Sequence, residues 1–370
     1  MRNCVLRLNG ICMKPIQFFR TFSIAVTTLS LLLALAASRT LAGPVLLFEP
    51  ATGEVLTAED ADQTWFPASL AKLMTVYLAF EAVKSGKLAW DSKVPLSEKA
   101  RGQPATRIGL RSGIEITLEQ AVRGLILRSA NDFAMALAEK IGGSEEGFAE
   151  MQNATAKRLG MTRSLFKNPH GLPDPEQVTT ARDMGLLAAA ILKDFPDRAE
   201  VFSTTEVRIH KGTFHSQNDL LRTFEGADGM KTGFTCGAGY NVVASATRNG
   251  RKLIVVVMGA LTRTTRSARA TELLQVGFDH INGKKPADGK EPLKPVKLPD
   301  LAMNPAEVAP VHDMTRTTRT WKCGNRGGEP RQVAAKGTKV AKKLLAKRNP
   351  DGVAPATAAA VAAPKTTGTR

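Results

Sequence analysis

One stretch, residues 241–258, constrains the fold more than any other part of the chain. Segments 241–247 (NVVASAT) and 253–258 (LIVVVM) are apolar and rich in β-branched residues, and Arg248-Asn249-Gly250 between them is a turn signal. Together they predict a β-hairpin. A second hairpin is expected near the start of the same region, from 44–48 (PVLLF), the turn Ala51-Thr52-Gly53 and 54–56 (EVL). Between the hairpins the periodicity is helical. Leu70, Leu73, Met74, Tyr77, Leu78 and Ala82 recur at helical spacing over 69–84, behind Pro67. A second helix is expected over 117–128, where Thr117 and Gln120 match a capping box. A third is expected over 132–140 and a fourth over 180–193. Hairpin, helices, hairpin is the order of an α+β fold with an antiparallel sheet covered by helices, not of alternating βαβ units.

Net charge sharpens the organisation. The 370 residues carry a formal +17, which taken alone suggests nucleic acid. The distribution argues otherwise: residues 1–42 hold +5 with no acid, 284–370 hold +11, and 43–283 hold only +1. The middle is therefore a near-neutral body long enough for a large core. Four cysteines in this length exclude a disulfide-built scaffold.

The two ends read differently. Residues 1–42 are expected to be a signal peptide. Arg2, Arg7, Lys14 and Arg20 precede an uncharged stretch, 21–38, and Thr40-Leu41-Ala42 before Gly43 offers the cut. An uncleaved anchor is the competing reading, at the short edge of what spans a bilayer. Either way the chain is expected to be exported, to the periplasm or cell envelope. Removal of the leader leaves Cys236 and Cys323, which an oxidising compartment allows to pair. Residues 284–370 hold 10 of the 20 prolines and show no strand pattern. They are expected to be a basic Pro/Ala/Lys-rich tail, mostly disordered. Val340, Ala341, Leu344 and Leu345 share one helical face among Lys339, Lys342, Lys343 and Lys347, a pattern that allows membrane or cell-wall contact, though the apolar face is small and a solvated basic tail is the favoured reading. Nucleic acid is not an expected partner of an exported chain.

Three short patterns in the body carry chemistry: Ser69-Leu70-Ala71-Lys72, Ser129-Ala130-Asn131 and Lys231-Thr232-Gly233. Each alone is weak, because Ser164–Lys167, Ser216–Asn218 and Lys84-Ser85-Gly86 imitate them. In the first, serine and lysine three apart at the opening of a helix bring an amine within reach of a hydroxyl proton. The helix start and burial both favour the neutral amine. The imitation at Ser164–Lys167 lacks this setting, since Asn168-Pro169 breaks any helix there. Ser129 and Asn131 fall in a short break between helices, where they either aim into one cleft or cap the following helix. Lys231-Thr232-Gly233 follows the turn dipeptide Asp228-Gly229 and suits an edge strand. There a cation and a hydroxyl would meet a carboxylate, and a glycine would let a ligand backbone approach closely.

In order and spacing, these patterns resemble the S-x-x-K, S-x-N and K-T-G set of penicillin-binding proteins and serine β-lactamases. Longer stretches are similar to the low-molecular-mass serine D-Ala-D-Ala carboxypeptidases. They are 67–75 (PASLAKLMT), 128–132 (RSAND), 168–172 (NPHGL), 228–235 (DGMKTGFT) and 238–246 (AGYNVVASA). The resemblance covers about residues 43–283, the expected catalytic domain. It implies that Ser69 attacks the penultimate D-alanine carbonyl of a peptidoglycan stem peptide, with Lys72 as general base. Ser129 would relay a proton to the leaving nitrogen near Lys231, and Asn131 would hold the peptide. Thr232 and Arg266 would bind the terminal carboxylate beside Gly233. The N–H groups of Ser69 and Phe234 would form the oxyanion hole. β-Lactams would act as covalent inhibitors, and no cofactor or metal is implied.

Two departures stand out. Phe234 replaces the histidine common after K-T-G, and residues 284–370 show no strand pattern where many relatives continue into a β-rich second domain. Of the rival readings, a class A β-lactamase would need an E-x-x-L-N glutamate, which the sequence lacks. A D,D-endopeptidase shares the same residues and stays open, as does a non-catalytic wall-binding protein. His170 is expected to be structural.

Overall fold

The computed structural model describes residues 43–283 apart from Ala105 and Ser112, together with the backbone of five short strands, Leu6–Leu8, Ile11–Met13, Val296–Lys297, Thr320–Lys322 and Arg331–Val333. The leader's apolar run, the lysine-rich stretch 339–347 and Cys323 lie outside the described residues. The expectation that 284–370 contains no strand needs correction. Val296–Lys297 pairs with the main sheet, and Thr320–Lys322 pairs with Arg331–Val333.

The main sheet is built from both ends of the body. Its strands are β1 (Val45–Glu49), β2 (Glu54–Glu59), β7 (Ala227–Thr235), β8 (Gly239–Arg248), β9 (Arg251–Ala260) and β10 (Val296–Lys297). Their spatial order is β10-β2-β1-β9-β8-β7, with every neighbour antiparallel. Both predicted hairpins are present, and β1 from the first pairs with β9 from the second, Val45 facing Val257. Asp228-Gly229 is not the expected turn but lies inside β7.

The unbroken apolar run of β9 has a simple cause, which is that both faces of the sheet are covered. Ile254, Val256 and Met258 enter one core with Leu46 and Phe48 of β1. Leu253, Val255 and Val257 enter a second core with Val45 and Leu47. Alternate residues of a strand point to opposite faces, so a strand buried twice has no polar face.

The second core is closed by α8 (Arg263–Ile281) through Ala270, Leu273, Leu274 and Phe278. The first is closed by α1 (Lys72–Lys84), α3 (Leu118–Arg128), α4 (Asn131–Gly142) and α6 (Ala181–Asp194). Lys72 to Phe80 of α1 are buried without exception, the mark of a central helix. The Thr117–Gln120 capping box opens α3 as predicted, at 3.1 and 3.0 Å.

Two long helices were not legible beforehand, α5 (Glu145–Arg158) and α8. In α5 only Phe148, Gln152, Thr155 and Ala156 are buried, so its apolar stripe is too thin to signal a helix. The remaining short elements are β3 (Lys93–Pro95), α2 (Glu98–Arg101), β4 (Glu115–Thr117), β5 (Glu206–Ile209), β6 (Gly212–His215) and α7 (Leu220–Thr223). Among the described residues no helix is long and apolar enough to cross a membrane.

Candidate active site

The three motifs meet where the start of α1, the break between α3 and α4, and the edge strand β7 converge. Ser69 does not open the α-helix as expected. It lies in a 3-10 turn, Ala68–Ala71, that leads into α1 at Lys72. Ala68, just before the serine, has φ +49°, which a side-chain-bearing residue adopts only where its surroundings impose it. Three neighbours impose it. Asn241 Nδ2 donates to the Phe66 and Pro67 carbonyls at 3.1 and 3.2 Å. A Cβ on Gly171 (φ +82°) would sit 1.8 Å from the Ala68 carbonyl oxygen. A Cβ on Gly233 would sit 3.1 Å from the Ser69 nitrogen. The glycine of Lys231-Thr232-Gly233 therefore admits the serine's own turn, where the sequence reading had it admit ligand.

Lys72 is completely buried. Its Nζ lies 3.2 Å from Ser69 Oγ and donates to Asn131 Oδ1 at 2.7 Å and to the His170 carbonyl at 2.5 Å. Burial holds this amine well below the usual lysine range, Lys231 pushes it the same way, and Asp132 opposes. Lys231 is also buried, with Nζ donating to the Thr232 carbonyl at 2.7 Å. Burial first, then Arg266, brings it down to about 7.

The capping reading of Ser129 and Asn131 fails. Ala130 occupies the N-cap of α4 without a side-chain cap, while Asn131 Nδ2 reaches the Pro104 carbonyl at 2.9 Å. Ser129 has φ +63° and is 4% exposed, and its Oγ has no hydrogen-bond partner among the described residues. Such a hydroxyl is costly unless something else occupies the site.

Ser69, Ser129, Thr232, Gly233, Phe234 and Arg266 line one cavity of about 250 Å³. Arg266 comes from α8, and Asp219 lies 3.4 Å from its Nη2. Burial pushes its guanidinium down to about 10, still cationic at neutral pH, and its Nε has no hydrogen-bond partner among the described residues. Phe234 is 42% exposed and stacks on Tyr240 at 4.2 Å between ring centroids.

The imitating patterns are structural. Ser164 Oγ bonds Asp183 at 2.7 Å, Lys167 pairs with Glu176 at 2.9 Å, and Asn218 Nδ2 donates to the Gly229 carbonyl at 2.9 Å. The His170 ring is buried and held well below the usual histidine range, at about 3, by burial and then by Lys72 and Lys99.

Sequence reasoning missed the His170 carbonyl as a partner of Lys72, and backbone atoms leave no signal. It also missed Asp132, whose carboxylate accepts from the Ile108 and Gly109 amides at 3.0 and 2.9 Å and so pins the loop that holds Asn131. Cys236 is disulfide-bonded and is the only cysteine of residues 43–283, so its partner lies outside that span.

A family model described as D-alanyl-D-alanine carboxypeptidase (Peptidase_S11) matches residues 34–262. The D-alanyl-D-alanine carboxypeptidase DacC of Escherichia coli is 38% identical over 258 residues, 66% of this chain and 64% of that protein. The chain thus spans just under two thirds of that relative. The crystal structure of penicillin-binding protein 5 from Haemophilus influenzae superposes with a TM-score of 0.63 at 37% identity, covering 65% of this chain and 71% of that one. That of penicillin-binding protein 6B from Escherichia coli gives 0.62 at 31% identity and covers 80% of this chain and 92% of that one. By the family match over most of its folded body, the chain belongs to the D-alanyl-D-alanine carboxypeptidase family.

Proposed function

We propose that the chain is a serine D-Ala-D-Ala carboxypeptidase that removes the terminal D-alanine from peptidoglycan stem peptides. One observation carries the reading. Lys72 is buried among neutral acceptors, 3.2 Å from Ser69 Oγ. A neutral amine has two N–H bonds and one lone pair. Asn131 and the His170 carbonyl take the two N–H bonds. The lone pair is left for the Ser69 hydroxyl, which donates its proton as it attacks.

The cavity supports the following course of reaction. Arg266 and Thr232 take the terminal carboxylate. Ser69 Oγ adds to the carbonyl of the penultimate D-alanine, and the Ser69 proton passes to Lys72. The developing oxyanion faces the Ser69 and Phe234 amides. The C–N bond breaks as the proton held by Lys72 passes through Ser129 to the leaving nitrogen, which leaves the amine neutral again. D-Alanine departs, water attacks the Ser69 ester as Lys72 takes its proton, and Lys72 hands that proton to Ser69 Oγ as the C–O bond breaks. Penicillins, which copy the D-Ala-D-Ala terminus, would stop at the ester.

We further propose that residues 1–42 direct export to the cell envelope, that 43–283 form the catalytic domain, and that the +11 of 284–370 supports wall or membrane contact. The test uses purified residues 43–370 with a fluorescent penicillin. An adduct mapped to Ser69 and absent from Ser69→Ala is expected. So is release of free D-alanine from a monomeric pentapeptide in preference to splitting of cross-linked dimers. Folded protein that forms no adduct would overturn the reading.

A further inference from the structure

Phe234 carries a side chain for which the reaction above has no use. Its amide faces the oxyanion, but its ring takes no part. Among the described residues only Phe234 and Val276 are large apolar side chains left exposed. Val276 belongs to α8, whereas Phe234 lines the cavity that holds Ser69. An exposed ring inside a cleft points to a ligand that covers it.

The strand fixes where that ring stands. Alternate residues of a strand share a face, so Phe234 projects from β7 on the same side as Thr232, about 7 Å further along. Both line the cavity. Tyr240 faces Phe234 across the β7–β8 pair, and the two rings pack with their planes 31° apart. Such a cross-strand pair braces the Phe234 ring in place. Tyr240 also lines the cavity and lies within electrostatic reach of Arg266. The carboxylate-binding pair Thr232 and Arg266 is therefore flanked by an aromatic platform.

The terminal residue of the substrate occupies this space. Its carboxylate meets Thr232 and Arg266, its nitrogen leaves beside Ser129, and the α-carbon between them carries the side chain. The methyl of alanine projects only about 1.5 Å, one bond length, and leaves most of the platform bare. The rest of the cavity offers a side chain less. Thr106 and Gln217 are polar. Arg263 is held by both oxygens of Asp219, at 2.7 and 2.6 Å, so it has no donor pair to spare for an acidic side chain. The apolar surface left to bury belongs to Phe234 and Tyr240.

We infer that Phe234, braced by Tyr240, forms a subsite for a large apolar side chain on the leaving residue, and that the chain releases aromatic D-amino acids from the ends of stem peptides in preference to D-alanine. The inference rests on the carboxypeptidase reading above. The bonds made and broken are the same. The Ser69 ester forms as the C–N bond breaks, the leaving nitrogen takes up the proton that Ser69 gave, and one water hydrolyses the ester. The products are the shortened peptide and a free D-amino acid such as D-phenylalanine, with water as the only co-reactant.

The experiment measures kcat/KM for release of the terminal residue by purified residues 43–370 from two peptides, diacetyl-Lys-D-Ala-D-Phe and diacetyl-Lys-D-Ala-D-Ala. The D-phenylalanine peptide is expected to exceed the D-alanine peptide by about three- to tenfold, as suits one aromatic contact at a partly exposed site. In Phe234→Ala the ratio should fall to about one or below, and Phe234→Tyr should restore it. A ratio is insensitive to loss of folded protein. A D-phenylalanine peptide cleaved no faster than the D-alanine peptide, or a preference that survives in Phe234→Ala, would overturn the inference while leaving the carboxypeptidase reading intact. Failure to cleave either peptide overturns that reading, and the inference with it.

Discussion

The side-chain carbonyl of Asn131 stands 2.7 Å from the amine of Lys72 and holds one of its hydrogens. Asn131 is itself held through its Nδ2 by the Pro104 carbonyl, so the amide cannot turn over without losing both bonds. A neutral partner at this place leaves the amine neutral, whereas a charged one would not.

Asn131→Asp tests that difference. A carboxylate at this distance stabilises the ammonium and raises the Lys72 pKa. Acylation by fluorescent penicillin at pH 7 is expected to slow at least about tenfold, with partial recovery as pH rises. A variant that acylates at the wild-type rate at pH 7 would show that neutrality of Lys72 is not what limits the step.

Stability should carry the signature of the buried lysines. Lys231 titrates near 7 when folded and near 10.4 when unfolded. Between these values the unfolded chain binds the extra proton, so stability rises with pH across that window and falls as pH drops toward 7. Lys231→Met should remove up to about 1.4 kcal/mol per pH unit of that slope between pH 7 and 9. Urea melts at several pH values would show it. An unchanged slope means that Lys231 is not neutral in the fold.

Gly171→Ala should be severe. The new methyl would lie 1.8 Å from the Ala68 carbonyl oxygen, at φ +82°. Backbone must move, at a cost above about 3 kcal/mol, and the Ser69 turn moves with it. Thermal melting should drop and penicillin labelling should vanish. A labelled variant with wild-type melting would remove the close approach from the account of the site.

Gln152→Met should stabilise the protein. Gln152 is completely buried in α5, and neither its Oε1 nor its Nε2 has a hydrogen-bond partner among the described residues. Replacing an unsatisfied amide with an apolar chain of similar length should gain about 1–2 kcal/mol. A fall in the denaturant midpoint would mean that the amide is satisfied in solution.

How much was legible in the sequence depends on the distance over which each signal acts. The two hairpins and the Thr117–Gln120 box depend on neighbours a few residues apart, and they were readable. Ser69 and Lys72 were readable as a pair for the same reason. That Ser129, Thr232 and Arg266 share a cleft with Ser69 followed from family resemblance, because no local rule links them. The helices α5 and α8 escaped because their exposed faces are strongly polar and their buried stripes thin. The His170 carbonyl and the Asp132 clasp arise only when distant segments touch.

Asn241 supplies the last consequence. Its Nδ2 reaches back 175 residues to the Phe66 carbonyl beside the Ser69 turn. A chain made from its N-terminus presents Ser69 to solvent long before that asparagine exists. Until β7 and β8 dock, Lys72 is a hydrated side chain of ordinary basicity and the serine an ordinary alcohol. Completion of the fold is therefore the activating event. On the proposed mechanism a truncated product ending short of Lys231 would be inert, so an interrupted chain would carry no unregulated hydrolytic activity into its surroundings.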